Sequence, residues 1–175
     1  ASHAVDQVRF LLDSPVTSVS GTLTTFVPTR TGEDGPEPVT VDDAAWATLR
    51  TASGAVVGLE VSRCATGRKN ALGIEVYGSL GGLRFDLERL NELHLFDATA
   101  PPDTQGSSRI LVTEATHPYV GAWWPAGHVL GWDHTFTSQA AELLRAIDTG
   151  APAAPGFEDG LEVQRVLAAV TDSAA

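Results

Sequence analysis

Two runs, Ala45-Trp46-Ala47-Thr48-Leu49-Arg50 and Val56-Val57-Gly58-Leu59-Glu60-Val61, flank the dipeptide Ser53-Gly54. In the first, Ala45, Ala47 and Leu49 alternate with Trp46, Thr48 and Arg50. In the second, Val57, Leu59 and Val61 fall on one face. A period of two marks a strand with one buried side, and a short glycine turn between two such runs marks a hairpin. Upstream, Val19, Leu23, Thr25 and Val27 alternate with mostly polar positions over 16–27. Downstream, Ile74 and Val76 begin a strand that turns at Gly78 to Gly82 and returns through Leu83, Phe85 and Leu87. Leu93 with Leu95, and the stretch 110–113, add two more. Residues 28–40, with Pro28, Pro36 and Pro38, read as a polar loop, as do 65–70 and 98–108.

The two ends of the chain change period. Ala4, Val5, Val8, Leu11 and Leu12 make one helical stripe. Asp13-Ser14-Pro15 ends it, because a residue before proline avoids the helical region. Phe136, Ala140, Leu143, Leu144 and Ile147 make a second stripe, stopped by Gly150 and Pro152. Val163, Val166, Leu167 and Val170 make a third. The order is one helix, a meander of six to seven strands, then two helices, with no internal repeat and no clear domain boundary. This predicts an α+β fold: a predominantly antiparallel open β-sheet with helices packed on one face. The other face is left free for dimerisation, since an uncovered, partly apolar sheet face meets a partner.

Composition narrows the function. Apolar residues make up 43% and charged residues 19% of 175, a globular balance. Eleven Lys and Arg against 22 Asp and Glu leave a net charge of −11. That charge repels phosphate backbones and anionic lipid heads, so neither nucleic acid nor membrane is an expected partner. No apolar run reaches the roughly 18 residues of a spanning helix. The one cysteine, Cys64, excludes an internal disulfide framework and fits a reducing, cytoplasmic setting. The chain has no methionine and starts Ala1-Ser2-His3, which predicts a piece of a longer protein.

Few constellations carry chemistry. Gly78-x-x-Gly81-Gly82 lies between strands and reads as hairpin glycine, not a phosphate loop. No GxGxxG occurs, so no dinucleotide fingerprint is present. The histidines match no compact zinc spacing and have no cysteine pair beside them, so no metal site is expected. Cys64 has no local signature of a nucleophile. His3 would sit on the opening turn of the first helix, either as an exposed terminal histidine or as a proton-transfer group. The stretch His117 to Trp132 holds three of the four tryptophans and two of the five histidines in 16 residues, with glycines and prolines between them. Flat aromatic faces beside imidazoles suit a sugar ring. The same indoles could instead fold back onto the sheet and plug the core, and one loop can do both.

Several strings together resemble the C-terminal domain of the glucose–fructose oxidoreductase / inositol dehydrogenase family (Gfo/Idh/MocA). They are Ser2-His3-Ala4-Val5-Asp6, the run from Asp43 to Arg63, and Glu75-Val76-Tyr77-Gly78-Ser79-x-Gly81. Gly127-His128-x-x-Gly131-Trp132-x-His134-x-Phe136 and Phe157-Glu158-Asp159-Gly160 complete the set. The resemblance spans the chain. It implies that residues 1–175 form a single C-terminal substrate-binding and dimerisation domain, and that the family's N-terminal Rossmann domain is absent from this chain. It implies NAD or NADP as cofactor of the full-length enzyme, with none bound to this chain alone. It also implies a sugar, cyclitol or related polyol as substrate, and a homodimer or homotetramer through the open sheet face. His3 falls at the family's catalytic histidine. Arg63, Lys69, Trp124 and His128 are the candidates for lining the substrate pocket. The aspartate that often precedes the family's histidine by four residues would lie before Ala1, and the family's E-K-P lysine motif does not occur here. The competing expectation is a stand-alone, non-catalytic α+β module that binds a ligand or a protein.

Overall fold

The computed structural model describes residues 1–175, which separate into two compact units. Each has its own antiparallel sheet.

The first unit comprises Ala1–Gly67 and Pro155–Ala175. Helix α1 (Ser2–Leu12) leads into β1 (Val16–Thr24) through Asp13, whose left-handed backbone closes the helix. A small hairpin of β2 (Thr29–Gly32) and β3 (Gly35–Pro38) precedes β4 (Ala44–Thr51) and β5 (Val56–Ser62). β1, β4 and β5 form a three-stranded sheet in that order. Register puts Val19 opposite Leu49 and Leu49 opposite Val57, and Leu23, Ala45 and Val61 likewise in one row. The alternation of β4 therefore places Ala45, Ala47, Leu49 and Thr51 inward, and Trp46, Thr48 and Arg50 outward.

Helix α3 (Phe157–Ala174) covers the inward face with Val163, Val166 and Val170, and Val5 of α1 joins them around Leu49. Leu49 and Val5 are fully buried. Gly21 lets α3 approach β1. A Cβ there would stand 2.8 Å from Val170 Cγ1, and the Gly21 amide donates to Ser173 Oγ at 3.1 Å.

Asp43 fixes the base of the β2–β3 hairpin. Its carboxylate accepts from the Phe26 and Val27 amides, both at 2.8 Å, and pairs with Arg30 at 2.8 Å. The Val27 amide, with help from Phe26 and Arg30, holds its carboxyl below the usual range against the opposing effect of desolvation.

The second unit comprises Arg68–Ala154. β6 (Gly73–Gly78), β7 (Gly81–Asp86), β8 (Glu92–Asp97) and β9 (Ser107–Leu111) pair consecutively in a meander. Ile74, Phe85, Leu93 and Ile110 stand in one cross-strand row. The adjacent row, on the opposite face, is Glu75, Arg84, His94 and Arg109. Helix α2 (Trp132–Thr149) completes the unit, and the αL residue Gly150 caps its end.

The α+β class with antiparallel sheets stands as the sequence predicts. Three details differ. The strands divide between separate sheets, because the polar segment 63–72 between β5 and β6 carries no alternation. The proline-rich loop at 28–40 contains a hairpin, in which Gly32-Glu33-Asp34-Gly35 supplies the turn. And the apolar stripe of α2 faces outward. The less exposed positions of that helix are His134, Ser138, Glu142 and Ala146, one per turn, while Phe136, Leu143, Leu144 and Ile147 are each more than half exposed.

Candidate active-site residues

His3 occupies the first turn of α1 and is exposed. No side chain caps this helix. Gln7, one turn further on, keeps its Oε1 buried without a hydrogen-bond donor. A position four residues along lies on the same helix face, so an idle acceptor sits one turn from His3. Arg63, also in the first unit, follows β5. Its amide donates to Asp43 O at 2.8 Å and its side chain is exposed without an ion-pair partner.

Lys69 belongs to the second unit. Its amide donates to Glu88 Oε1 at 3.0 Å, and its exposed ammonium carries no ion pair. Trp124 and His128 lie in the aromatic stretch between β9 and α2, and the structure brings these two together. Their rings stack with centroids 6.4 Å apart and planes 28° apart. His128 Nδ1 lies 2.9 Å from Pro125 O, which turns its ring toward the indole.

His134, one of the histidines whose spacing matches no compact zinc motif, is the hub of this cluster. Trp123 meets it edge-on at 4.4 Å, and the Trp124 indole nitrogen lies 3.4 Å from its Nε2. Its Nδ1 accepts from the Gly131 amide at 3.0 Å. This is a side chain at the third helical position reaching back to cap the helix start, as Asp159 does at 2.8 Å for Gly156 on α3. The Asp133 carboxylate lies 3.1 Å from the same Nδ1.

Three ties hold the aromatic stretch in place. Asn91, in the turn before β8, donates Nδ2 to Leu130 O at 2.8 Å and accepts the Leu130 amide at 2.9 Å. Gly127 N donates to Thr113 O at 3.3 Å. Val120 is buried within the stretch, and Tyr119 takes a left-handed backbone beside it. Glu142 of α2 has its carboxyl held below the usual range, chiefly by its hydrogen bond with Arg145 and least by the nearby Tyr119 hydroxyl. Only Asn91 among these anchors belongs to a residue class whose role could be suspected from sequence, and nothing in its neighbourhood marks it.

The chain has no group of three or more metal-ligating side chains and no helix long and apolar enough to cross a membrane. Both main sheets are antiparallel and Gly78 to Gly82 form the β6–β7 turn. No strand-to-helix glycine turn of the kind that cradles a pyrophosphate is present in either sheet.

Residues 1–84 match the family model described as the GFO/IDH/MocA C-terminal domain. The chain is 33% identical to a levoglucosan dehydrogenase from Pseudarthrobacter phenanthrenivorans, over all of this chain and 48% of that protein. A crystal structure of an oxidoreductase domain protein from Kribbella flavida superposes with a TM-score of 0.95 at 50% identity, covering 99% of this chain and 46% of that one. Levoglucosan dehydrogenase in complex with NADH and levoglucosan superposes with a TM-score of 0.92 at 32% identity, again over 99% of this chain and 46% of the other. The chain therefore spans about half the length of the relatives it matches.

Proposed function

We propose that this chain, which belongs to the GFO/IDH/MocA family through its C-terminal domain, is the substrate-binding and oligomerisation half of an NAD(P)-dependent oxidoreductase acting on a sugar, cyclitol or related polyol. The observation that carries this reading is the Trp123, Trp124, His128 and His134 cluster, in a chain that superposes over 99% of its length on levoglucosan dehydrogenase.

The roles follow from the side chains. His3 is the proton-transfer group: an exposed imidazole on a helix start takes up or returns the proton of the reacting hydroxyl. Trp124 and His128 present a flat stacked face that suits the C–H side of a pyranose-like ring. His134, at which the Trp124 indole N–H is directed, holds that face in place. Arg63 and Lys69, free of ion pairs, supply further donors to polyol oxygens. The dinucleotide is bound outside these 175 residues, by the remainder of a longer protein. Copies associate through a sheet face. In the first unit the outward face carries Trp46 beside a concavity of about 500 Å³ lined by Ser20, Thr22, Thr48 and Glu60.

The test is turnover by the full-length gene product with NAD and NADP across a panel of sugars and cyclitols that includes levoglucosan. Nicotinamide-dependent oxidation is expected, and His3→Ala lowers kcat by ~10²–10⁴-fold. A protein that binds neither dinucleotide overturns the oxidoreductase reading in favour of a stand-alone binding module. Unchanged turnover in His3→Ala removes the proton-transfer assignment alone.

A further inference from the structure

Two donors are directed at the ring of His134. The Gly131 amide reaches Nδ1 at 3.0 Å, and the Trp124 indole nitrogen lies 3.4 Å from Nε2. A neutral imidazole has one accepting nitrogen, so either tautomer satisfies one of the two donors. Imidazolium has none, because both nitrogens then carry protons. A proton on His134 leaves the Gly131 amide and the Trp124 N–H each facing another N–H. The Asp133 carboxylate suits that second state. It lies 3.1 Å from Nδ1 and needs an N–H there, whereas the Gly131 amide needs a lone pair. One nitrogen cannot serve both. Asp133 is the charged side chain paired with the ring, and no charged side chain of β6–β9 joins it. His128, stacked on Trp124, is the other titratable group of the stretch that touches this cluster. The His134 side chain is 18% exposed, so protons from solvent reach it, and that of Asp133 is 90% exposed and free to turn away.

We propose that His134 is a proton-operated latch on the candidate sugar site: its protonation frees the Trp124 indole and the first turn of α2, and affinity for sugar falls with pH. The proposal rests on the function inferred above and adds how that site is regulated. Helix α3 supplies the comparison. Both helices begin after a glycine, and in both a side chain at the third helical position reaches back to the glycine amide. On α3 that side chain is Asp159, which accepts from Gly156 at 2.8 Å. A carboxyl group keeps an accepting oxygen whether or not it is protonated. On α2 the same place holds a histidine, whose power to accept is lost on protonation, in the range of about pH 5 to 8 where imidazoles titrate. Imidazolium at a helix start also opposes the helix dipole, which adds to the loss of the cap. The proton is then shared with Asp133, and the ring turns from holding two donors to holding one carboxylate. Trp124 is half exposed, so few contacts replace the one it loses. Trp123, edge-on to the same ring at 4.4 Å, moves with it.

The test uses the full-length protein labelled with fluorotryptophan and followed by fluorine NMR from about pH 8 to about pH 5. The Trp124 resonance is assigned by its loss in Trp124→Phe. Expected is a transition of that resonance in the parent, its loss in His134→Gln and its survival in His128→Gln. Glutamine at this helix position keeps an oxygen for the Gly131 amide and takes up no proton, so the helix start is retained. Asp133→Asn, a change at an exposed side chain, guards against misfolding of that variant. It moves the transition to lower pH, because the carboxylate favours the protonated ring. No transition in the parent overturns the proposal. So does a transition that both His134→Gln and Asp133→Asn leave in place, or one that His128→Gln abolishes. Rates on levoglucosan, or on the panel sugar turned over fastest, read the consequence. Between about pH 7.5 and about pH 5.5, KM should rise about tenfold in the parent and stay within about twofold in His134→Gln. The acid fall of kcat, to which His3 contributes, should be the same in both. An equal rise of KM in both overturns the proposal. Absence of nicotinamide-dependent turnover removes the oxidoreductase reading, and the fluorine transition then decides the latch by itself.

Discussion

The first unit is organised around a hydrophobic interior, the second around ties. In the first, Val5, Leu49, Val163, Val166 and Val170 meet between a sheet and two helices, and the sheet's other face is largely hydroxyl-bearing. In the second, Val120 is the one fully buried apolar residue, and the order of the aromatic stretch comes from Asn91, Thr113 and His134 reaching backbone groups. Apolar burial scales with area and is indifferent to detail, whereas a hydrogen bond fixes direction. The difference separates a part held by buried area from a part held by directed bonds. It also explains why α2 carries apolar residues that its own unit does not use.

Three substitutions sharpen or break this contrast. The largest expected effect is in the core. Leu49→Ala removes a fully buried side chain among five others and should lower unfolding free energy by about 2–5 kcal/mol, read from denaturant melts. A loss under roughly 1 kcal/mol would mean that the first unit is not organised around Leu49. Next is Trp124→Ala. Half of that side chain is already exposed, so its removal should leave the melting temperature within a few degrees while raising KM for the sugar about tenfold, with kcat little changed. A fall in stability as large as that of Leu49→Ala would show the indole to be core rather than recognition surface.

The smallest effect is confined to acid. Because folding lowers the Asp43 pKa, its contribution is complete above the unfolded value of about 4 and is lost as pH falls through the depressed folded value. Thermal melts of the parent should therefore lose stability below about pH 4, and Asp43→Asn should flatten that acid limb while melting lower at neutral pH. An identical acid limb in parent and variant would show that Asp43 does not hold the hairpin base.

How much was legible in advance follows the same division. The alternation of Ala45, Ala47 and Leu49 and the spacing of Val163, Val166 and Val170 identified the interior of the first unit, because area and periodicity are both written in residue type. The α2 stripe was equally plain as a pattern. Periodicity reports which side of a helix is apolar and is silent on which neighbour covers it, so the outward orientation needed coordinates. The β2–β3 hairpin hid behind its prolines. Pro36 and Pro38 suit an isolated two-stranded ribbon, where few ladder donors are needed, and so depress any strand signal. Among candidate site residues, aromatic crowding pointed to Trp124 and His128, which do stack. His134 and Asn91 were not identified, because their work is to bond backbone groups 3 and 39 residues away, a relation that no residue type announces.

The clasp of Asn91 on Leu130, with the Thr113–Gly127 bond, has a consequence for how specificity could change in such a protein. The groups bonded at the loop ends are backbone groups of Leu130 and Gly127, so the frame depends on few of the side chains between them. The stretch from Glu114 to Val129 is in effect an exchangeable cartridge, open to swapping between relatives or to randomisation in a library with its two mouths fixed, provided that Asn91, the buried Val120, the positive-φ Gly127 and the Gly131–His134 helix start are left in place.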